Sequence, residues 1–444
     1  MTNAVESLAN RFRHAFPSPS VLFDPAGHAS FARDWSTAPG EAPALVLRPA
    51  TVEELSGMVR ICAEAQAPIA LQGGLTGLAG GAAPRRGEVA LTTRRMNRIE
   101  RVDPEAMLLI AEAGVTLEEA EAAANAAGCS IPIDIGSRGS CTLGGLAATN
   151  AGGNRVIRYG VVRDVVAGLE AVTAEGAVVG GLNEMRKNNA GYDLKHLFIG
   201  SEGTLGVIAR LALRMTPKVS ERACAACAVK DFADLIDLLS SLRRDMGDVL
   251  ESFEVLWDDY IAAIGASEID VRLPFCEAHP LVAIVEIAGR GVSGRLEAAL
   301  TRLLEDGVIA DAVISQSETQ RLEIWRLRDA IGDLFSGLSS VIAFDVSLPL
   351  RSIDAFVTEA KARIAADYPD ADVITFGHIG DGNIHFSVTP PPTADAHAIE
   401  GAVLAIAGRL GGSITGEHGV GVLKKDYLRL CRSETDIALM AAIK

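Results

Sequence analysis

Nucleic-acid surfaces, membrane spans, export signals and disulfide frameworks each need something that this chain has little of. Against 57 Asp and Glu stand only 41 Lys and Arg, a formal net charge of −16 over 444 residues. A surface of that sign repels phosphate backbones, so nucleic acid is not an expected partner. No apolar run approaches the ~18 residues that a spanning helix needs. Residues Met1 to Ser20 interleave Glu6, Arg11, Arg13 and His14 with apolar positions, which leaves no continuous core for a secretion signal. Cytoplasmic residence is the resulting expectation. Seven cysteines are an odd number without framework spacing, as free thiols in a reducing compartment would be. Cys224 and Cys227 form a CxxC, but no second pair or nearby His completes a metal site. Two small buried residues in a strand is the plainer reading.

What the chain does have is length and glycine. Its 444 residues exceed one ordinary core, so two or three domains are expected. Thr51 and Glu54 have capping-box spacing, and Leu55, Met58, Val59 and Cys62 follow at the spacing of an amphipathic helix. Pro68 to Leu71 reads as a strand running into glycines, and Thr116 with Glu119 repeats the capping box before an alanine-rich helix. Helix, strand and glycine loop alternate to residue 216. After Pro217 the glycine clusters thin out. Helical patterns run through Leu296, Leu300, Leu303 and Leu304 and from Glu318 to Phe335, with β-rich runs such as Leu281 to Ile287 between them. The pattern predicts an α+β protein, with a first domain over 1–216, a second over 217–375 built on an antiparallel sheet backed by helices, and a polar C-terminal segment with a last helix over 376–444.

Three segments concentrate the glycine: Gln72 to Gly81 (QGGLTGLAGG), Asp134 to Gly153 (DIGSRGSCTLGGLAATNAGG) and Gly200 to Gly206 (GSEGTLG). Glycine lets the main chain approach a ligand closely and turn its N–H groups onto phosphate oxygens. One such loop is weak evidence, because turns use glycine too. Three beside strand or helix candidates point to a phosphate-bearing cofactor. None is a GxGxxG or a GxxxxGK[ST], which argues against a Rossmann-type dinucleotide fold and against an NTPase.

A second concentration is of histidine. His378, His385 and His418 are three of the eight histidines and fall within 41 residues. Asp381-Gly382 is a hairpin signal, and a hairpin there would bring His378 and His385 together. Two neutral imidazoles make a start on a divalent metal site, and Glu417 is the candidate carboxylate that completes it. Singly, each histidine reads as a hydrogen-bonded core residue; the constellation favours a site.

The glycine segments, with SCTLGGLAATNAGGNRVIRYG and KNNAGYDLKHLFIGSEGTLG, resemble the FAD domain of the vanillyl-alcohol-oxidase type. Within it they are similar to the FAD-linked D-2-hydroxyacid dehydrogenases, the branch holding D-2-hydroxyglutarate, D-lactate and glycolate dehydrogenases. The resemblance runs through the C-terminal HxGDGNxH and EHG motifs. It implies a two-subdomain FAD-binding domain followed by a substrate domain. Gln72, Gly73, Gly74, Leu75, Thr76 and Gly77 would hold the FAD pyrophosphate. Asp134, Gly136, Ser140, Gly144, Gly145 and Asn150 would line the isoalloxazine and ribityl chain, with Glu202, Gly203 and Ile208 near the adenine half. The first loop offers no His or Cys, so the FAD is expected to be noncovalent. Leu75 stands where relatives have Asn or Gly, at little expected cost because the peptide N–H is what matters.

By the same resemblance His378, His385 and Glu417 ligate a divalent metal, with zinc the expected ion. His418 would be the general base, Asn383 a hydrogen bonder to substrate, and Arg328 the clamp on its carboxylate, guanidinium matching carboxylate as a fork. The implied reaction oxidises a D-2-hydroxy acid to the 2-oxo acid: a metal acidifies the hydroxyl, His418 takes its proton and flavin N5 takes the hydride. Relatives acting on D-2-hydroxyglutarate follow that Arg with a Thr four residues on and a Lys fifteen on. Gly332 and Ala343 stand there instead, so a second substrate carboxylate loses two anchors. Relatives also continue into a DPxxxxNPGK-like tail beyond the point where this sequence stops, at Lys444. The expected partners are a small anionic 2-hydroxy acid and an electron acceptor (a quinone, an electron-transfer flavoprotein or a partner subunit), with a homodimer open as the assembly state. A metal-dependent hydrolase would leave the glycine loops unexplained, and a noncatalytic flavoprotein subunit would leave the intact EHG and HxGDGNxH motifs without a role.

Overall fold

The computed structural model describes residues 3–338 and 340–444. Its first part carries two larger sheets and a two-stranded one that pairs Cys129–Ser130 with Thr216–Pro217. A four-stranded sheet has the order Val21–Leu22, Val46–Leu47, Val89–Thr92, Ile69–Gln72, with the last three strands parallel. The helix Val52–Glu64 buries Leu55, Met58, Val59 and Cys62, the stripe read from the sequence. Thr51 caps it by accepting the Glu54 N–H at 3.2 Å. Glu54 does not close the expected box onto Thr51; its carboxylate takes the Ala50 N–H and the Ser20 hydroxyl instead. The box at Thr116 and Glu119 does close.

An antiparallel five-stranded sheet follows in the order Ile99–Asp103, Leu108–Glu112, Val207–Arg214, Val166–Val172, Val178–Gly181. Helices Leu117–Ala126 and Leu143–Thr149 pack their buried leucines and alanines into its core.

The second part is one antiparallel sheet of seven strands. Its order is Asp311–Ile314, Glu221–Val229, Leu281–Gly289, Leu250–Trp257, Asp372–His378, Asn383–Thr389, Ile342–Ser347. Residue 376 therefore lies inside a central strand, and the segment 376–444 is built into the sheet of 217–375. The division read at 376 followed a change in composition, which does not report which strands pair. Helices Phe232–Met246, Val292–Glu305, Ile353–Asp367 and Ala396–Arg409 cover one face with a core that includes Val255, Ile384 and Phe386. The opposite face receives Asp258–Ala266 and Glu318–Asp329. The helical pattern from 318 to 335 breaks at Ala330 into Glu318–Asp329 and Ile331–Ser336. Cys224 and Cys227 are fully buried on opposite faces of the strand Glu221–Val229, in separate cores, so this CxxC cannot form a shared metal site.

Candidate active site

Strand alternation assembles the polar cluster. Phe376 pairs with His385, His385 with Asp345, and His378 with Asn383. Val255 pairs with Gly377, which continues the register to set Glu254 opposite His378. Glu254, His378, Asn383, His385 and Asp345 thus share one face of the sheet, while the alternate residues enter the helix-covered core. The turn between His378 and Asn383 spans four residues, with Gly382 at φ +85° and its N–H on the His378 carbonyl at 3.1 Å. The expected hairpin brings the His378 and His385 rings to 5.2 Å between centroids.

Glu417 joins them from the loop after Ala396–Arg409. Ligand atoms of His378, His385 and Glu417 all lie within 4.8 Å of one another. Two imidazole nitrogens and one carboxylate oxygen at that spacing fit a divalent ion of the zinc class. Asp345, Glu417 and His418 are grouped as closely. The Asp345 carboxylate, however, already accepts the N–H groups of Gly416, Glu417 and His418 at 3.1, 2.9 and 2.9 Å, and Asn383 Nδ2 at 2.7 Å. It is a buried anchor for the EHG turn, which leaves the first set as the metal candidate.

The charges are strongly coupled. Burial would lower the His378 pKa, but Glu254 and then Glu417 outweigh it and raise it to about 9. Burial, then His378, holds His385 well below the ordinary imidazole value. Burial pushes Glu417 up against the pull of His378. For Asp345 burial is outweighed by His418, Lys424 and His385, which hold the carboxyl far below its usual range. The His418 ring stacks toward His385 at 6.1 Å, with Nδ1 3.6 Å from Asp345 Oδ2. Arg328 is largely but not fully buried on the helix Glu318–Asp329; its Nε donates to Glu254 Oε2 at 3.2 Å and its Nη2 reaches His378 Nε2 at 3.3 Å. Asn383 Oδ1 is buried without a hydrogen-bond partner.

The three glycine segments converge beside this cluster. A Cβ on Gly74 would overlap the Ser140 carbonyl, so the first two segments pack backbone to backbone. The third meets the second through the Gly200 and Glu202 N–H groups on the Ala147 and Ala148 carbonyls, at 3.0 and 2.8 Å. Main chain crowded this closely, with an N-capped helix start at Thr142 and open space at Gly136, suits the phosphates and ring system of a dinucleotide flavin. A Cβ on Gly152 would sit 2.7 Å from Glu417 Oε1, so the second segment abuts the metal candidate.

Some of the expected cofactor side chains have protein partners of their own. Gln72 Nε2 donates to the Phe31 and Ala82 carbonyls at 2.8 and 2.9 Å, which brings the first loop back on itself. Asp134 pairs with Arg138 and Arg155. Asn150 takes a left-handed conformation after the helix Leu143–Thr149 and accepts the Arg163 N–H. Ile208 is buried in the five-stranded sheet. Glu202 receives the Val420 and Gly421 N–H groups, both at 2.8 Å, and so ties the third glycine segment to the EHG loop. Leu75 has φ +60°, where a leucine costs about 1–2 kcal/mol and Asn or Gly less, so its presence is not free of cost. Gly73, Thr76, Gly77, Ser140, Gly144, Gly145 and Gly203 lie within the converging segments.

Sequence reasoning missed Glu254 and the anchoring role of Asp345. The available signal was an acid inside an otherwise apolar stretch of strand, SFEVLW and IAFDVS. An acid that deep needs partners, and the partners are the site.

Residues 43–180 match a family described as FAD binding domain, and residues 218–444 match the C-terminal domain of FAD linked oxidases. A D-2-hydroxyglutarate dehydrogenase of Xanthomonas citri pv. viticola is 37% identical over 444 residues, covering 97% of this chain and 92% of that protein. A mitochondrial D-2-hydroxyglutarate dehydrogenase of Arabidopsis thaliana is 35% identical over 439 residues, covering 98% of this chain and 78% of that one. Among solved structures, p-cresol methylhydroxylase with substrate bound has a TM-score of 0.79 over 100% of this chain and 94% of its own, at 16% identity. That likeness shows the expected fold alone.

Proposed function

Because the chain belongs to the FAD-linked D-2-hydroxyacid dehydrogenases and is an FAD-dependent oxidoreductase acting on CH–OH groups, we propose that it oxidises a D-2-hydroxy acid to the 2-oxo acid with the aid of a metal. The observation that carries this reading is the contact of Gly152 with Glu417, which puts the flavin-side glycine segment against the donor set. His378, His385 and Glu417 would hold the metal, and the segments 72–81, 134–153 and 200–206 the FAD. When bound, these groups supply Lewis-acid activation of the hydroxyl and a hydride acceptor at flavin N5.

The chain's own residues do the rest. Arg328 presents a largely buried guanidinium to the substrate carboxylate; its Nη2 reaches His378 Nε2 at 3.3 Å, and a metal held by His378 would leave that N–H free for the task. His418 accepts the hydroxyl proton; its backbone is held by its own N–H on Asp345, and its Nδ1 lies 3.6 Å from the same carboxylate. Asn383, fixed through Nδ2 on Asp345, has Oδ1 left over to meet the substrate side. Gly332 and Ala343 are both exposed and present no group for a second carboxylate, which favours a monocarboxylic substrate of the D-lactate type over D-2-hydroxyglutarate.

A quinone, an electron-transfer flavoprotein or a partner subunit is the proposed acceptor. No helix among the described residues is long and apolar enough to cross a membrane. The proposed compartment is the cytoplasm, on the strength of seven unpaired thiols. The test is a turnover screen of D-lactate, D-2-hydroxyglutarate, D-malate and glycolate with an artificial acceptor. Activity on D-lactate exceeding that on D-2-hydroxyglutarate supports the reading; no activity on any of them refutes it.

A further inference from the structure

Glu254 touches two parts of the site at once. It lies in the strand Leu250–Trp257, 1% exposed, opposite His378 across the sheet. Its Oε1 pairs with His378 Nδ1 at 2.6 Å and its Oε2 accepts Arg328 Nε at 3.2 Å. The two partners come from different elements, a neighbouring strand and the helix Glu318–Asp329 laid over the sheet. We propose that Glu254 is a positioning residue: one carboxylate fixes the ring of a metal ligand and the plane of the substrate clamp, so that the two are set at a constant relation to each other. The inference rests on the metal and substrate roles proposed above.

The chemistry of each contact supports it. A ligating imidazole binds through one nitrogen, and its orientation is set by what the other nitrogen donates to. With Nδ1 on Glu254, His378 offers Nε2, the nitrogen that lies 3.8 Å from Glu417 Oε1. The carboxylate also makes the imidazole a stronger donor. On its other side, a guanidinium fixed at Nε keeps Nη1 for a second carboxylate, and Nη2 as well once His378 Nε2 is taken up elsewhere. A buried acid that only balanced charge would need to meet the Arg alone.

The helix has a separate anchor that makes a control. Arg321 Nη1 and Trp325 Nε1 both donate to Glu286 Oε2 at 2.7 Å, and Glu286 is buried on the adjacent strand Leu281–Gly289. Arg321, Trp325 and Arg328 recur at i, i+4 and i+7, so the same helix face docks on two buried acids. Glu286 therefore shares the burial and the helix contact of Glu254 but not the contact with His378.

The experiment measures Zn²⁺ affinity by competition with a chromophoric chelator, and the Co²⁺ absorption spectrum, on flavin-loaded wild type, Glu254→Gln, Glu254→Asp and Glu286→Gln. Glu254→Gln should bind Zn²⁺ about 10–100-fold more weakly with an altered Co²⁺ spectrum. Glu254→Asp keeps the buried charge and pulls the carboxylate back by one methylene; it should also weaken binding, and it serves if the Gln variant does not fold. Glu286→Gln should stay within about twofold of wild type. Wild-type affinity in a folded Glu254 variant, or an equal loss in Glu286→Gln, overturns the inference while leaving the metal site standing. Absence of Zn²⁺ binding by the wild type would remove the metal reading itself. On the substrate side, Glu254→Gln should raise the KM of the acid turned over about tenfold or more, and an unchanged KM would contradict the coupling to Arg328.

Discussion

Glu202 Oε2 accepts the backbone N–H of Gly421 at 2.8 Å, a bond that joins the third glycine segment to the loop bearing Glu417 and His418. Together with its twin to Val420 it makes the third glycine segment and the EHG loop one mechanical unit. Glu202→Ala removes both charge-assisted bonds and should cost about 2–4 kcal/mol of stability. Turnover should fall further than flavin occupancy does. Thermal unfolding and flavin content, measured on the same sample, check this; unchanged turnover with a lowered melting temperature would reduce Glu202 to a structural tie.

His418→Ala should lower turnover by roughly 10²–10⁴-fold, the usual worth of a positioned proton acceptor. Flavin and metal content should stay at wild-type levels, because the proposed ligands His378, His385 and Glu417 are untouched. Steady-state rates beside metal analysis make the comparison. A variant that keeps full turnover defeats the assignment.

Asp345 gives a pH signature. Its native pKa lies below the ordinary ~3.9 of an unfolded Asp, so the native state binds this proton more weakly. Its contribution is therefore present above about pH 4 and is lost as pH falls from there through the native value. Asp345→Asn should be destabilised by roughly 3 kcal/mol at neutral pH, since it weakens the acceptor for the N–H groups of Gly416, Glu417 and His418 and leaves Lys424 without its opposing charge. The gap from wild type should narrow as pH falls below about 4. Denaturant melts at several pH values test it, and a gap that widens in acid would show that the sign is wrong.

Much of the site was legible because its signals are local. The glycine segments and His378-Ile-Gly-Asp-Gly-Asn-Ile-His385 each carry their spacing within a few turns or one hairpin. Glu254 was not legible, since its partner His378 is 124 residues away and only strand pairing makes them neighbours. Glu202 was visible as part of a glycine segment, yet its partners, the backbone N–H groups of Val420 and Gly421, are 218 and 219 residues off. The boundary at 376 failed for a related reason: strand order 250–257, 372–378, 383–389, 342–347 cannot be read from composition. Leu75 was misjudged because φ is invisible in a residue that usually avoids the left-handed region.

The substrate can be moved by design. Gly332 and Ala343 are exposed, and a Cβ on Gly332 would meet nothing within 4 Å. Gly332→Thr combined with Ala343→Lys should lower the KM for D-2-hydroxyglutarate by about tenfold or more, the worth of one charge-assisted contact. The KM for D-lactate should change little. Parallel kinetics on the two acids decide it; an equal change for both would mean that these positions do not face the substrate's far end.

Anaerobic mixing of the flavin-loaded protein with a D-2-hydroxy acid, followed by the loss of visible flavin absorbance, tests the central claim most directly. The metal-loaded protein should bleach with the D acid and not with its L enantiomer. Chelation should slow bleaching by at least about 100-fold while flavin stays bound, and added Zn²⁺ should restore it. Bleaching at the same rate after complete removal of metal, or none with any D-2-hydroxy acid, would contradict the account.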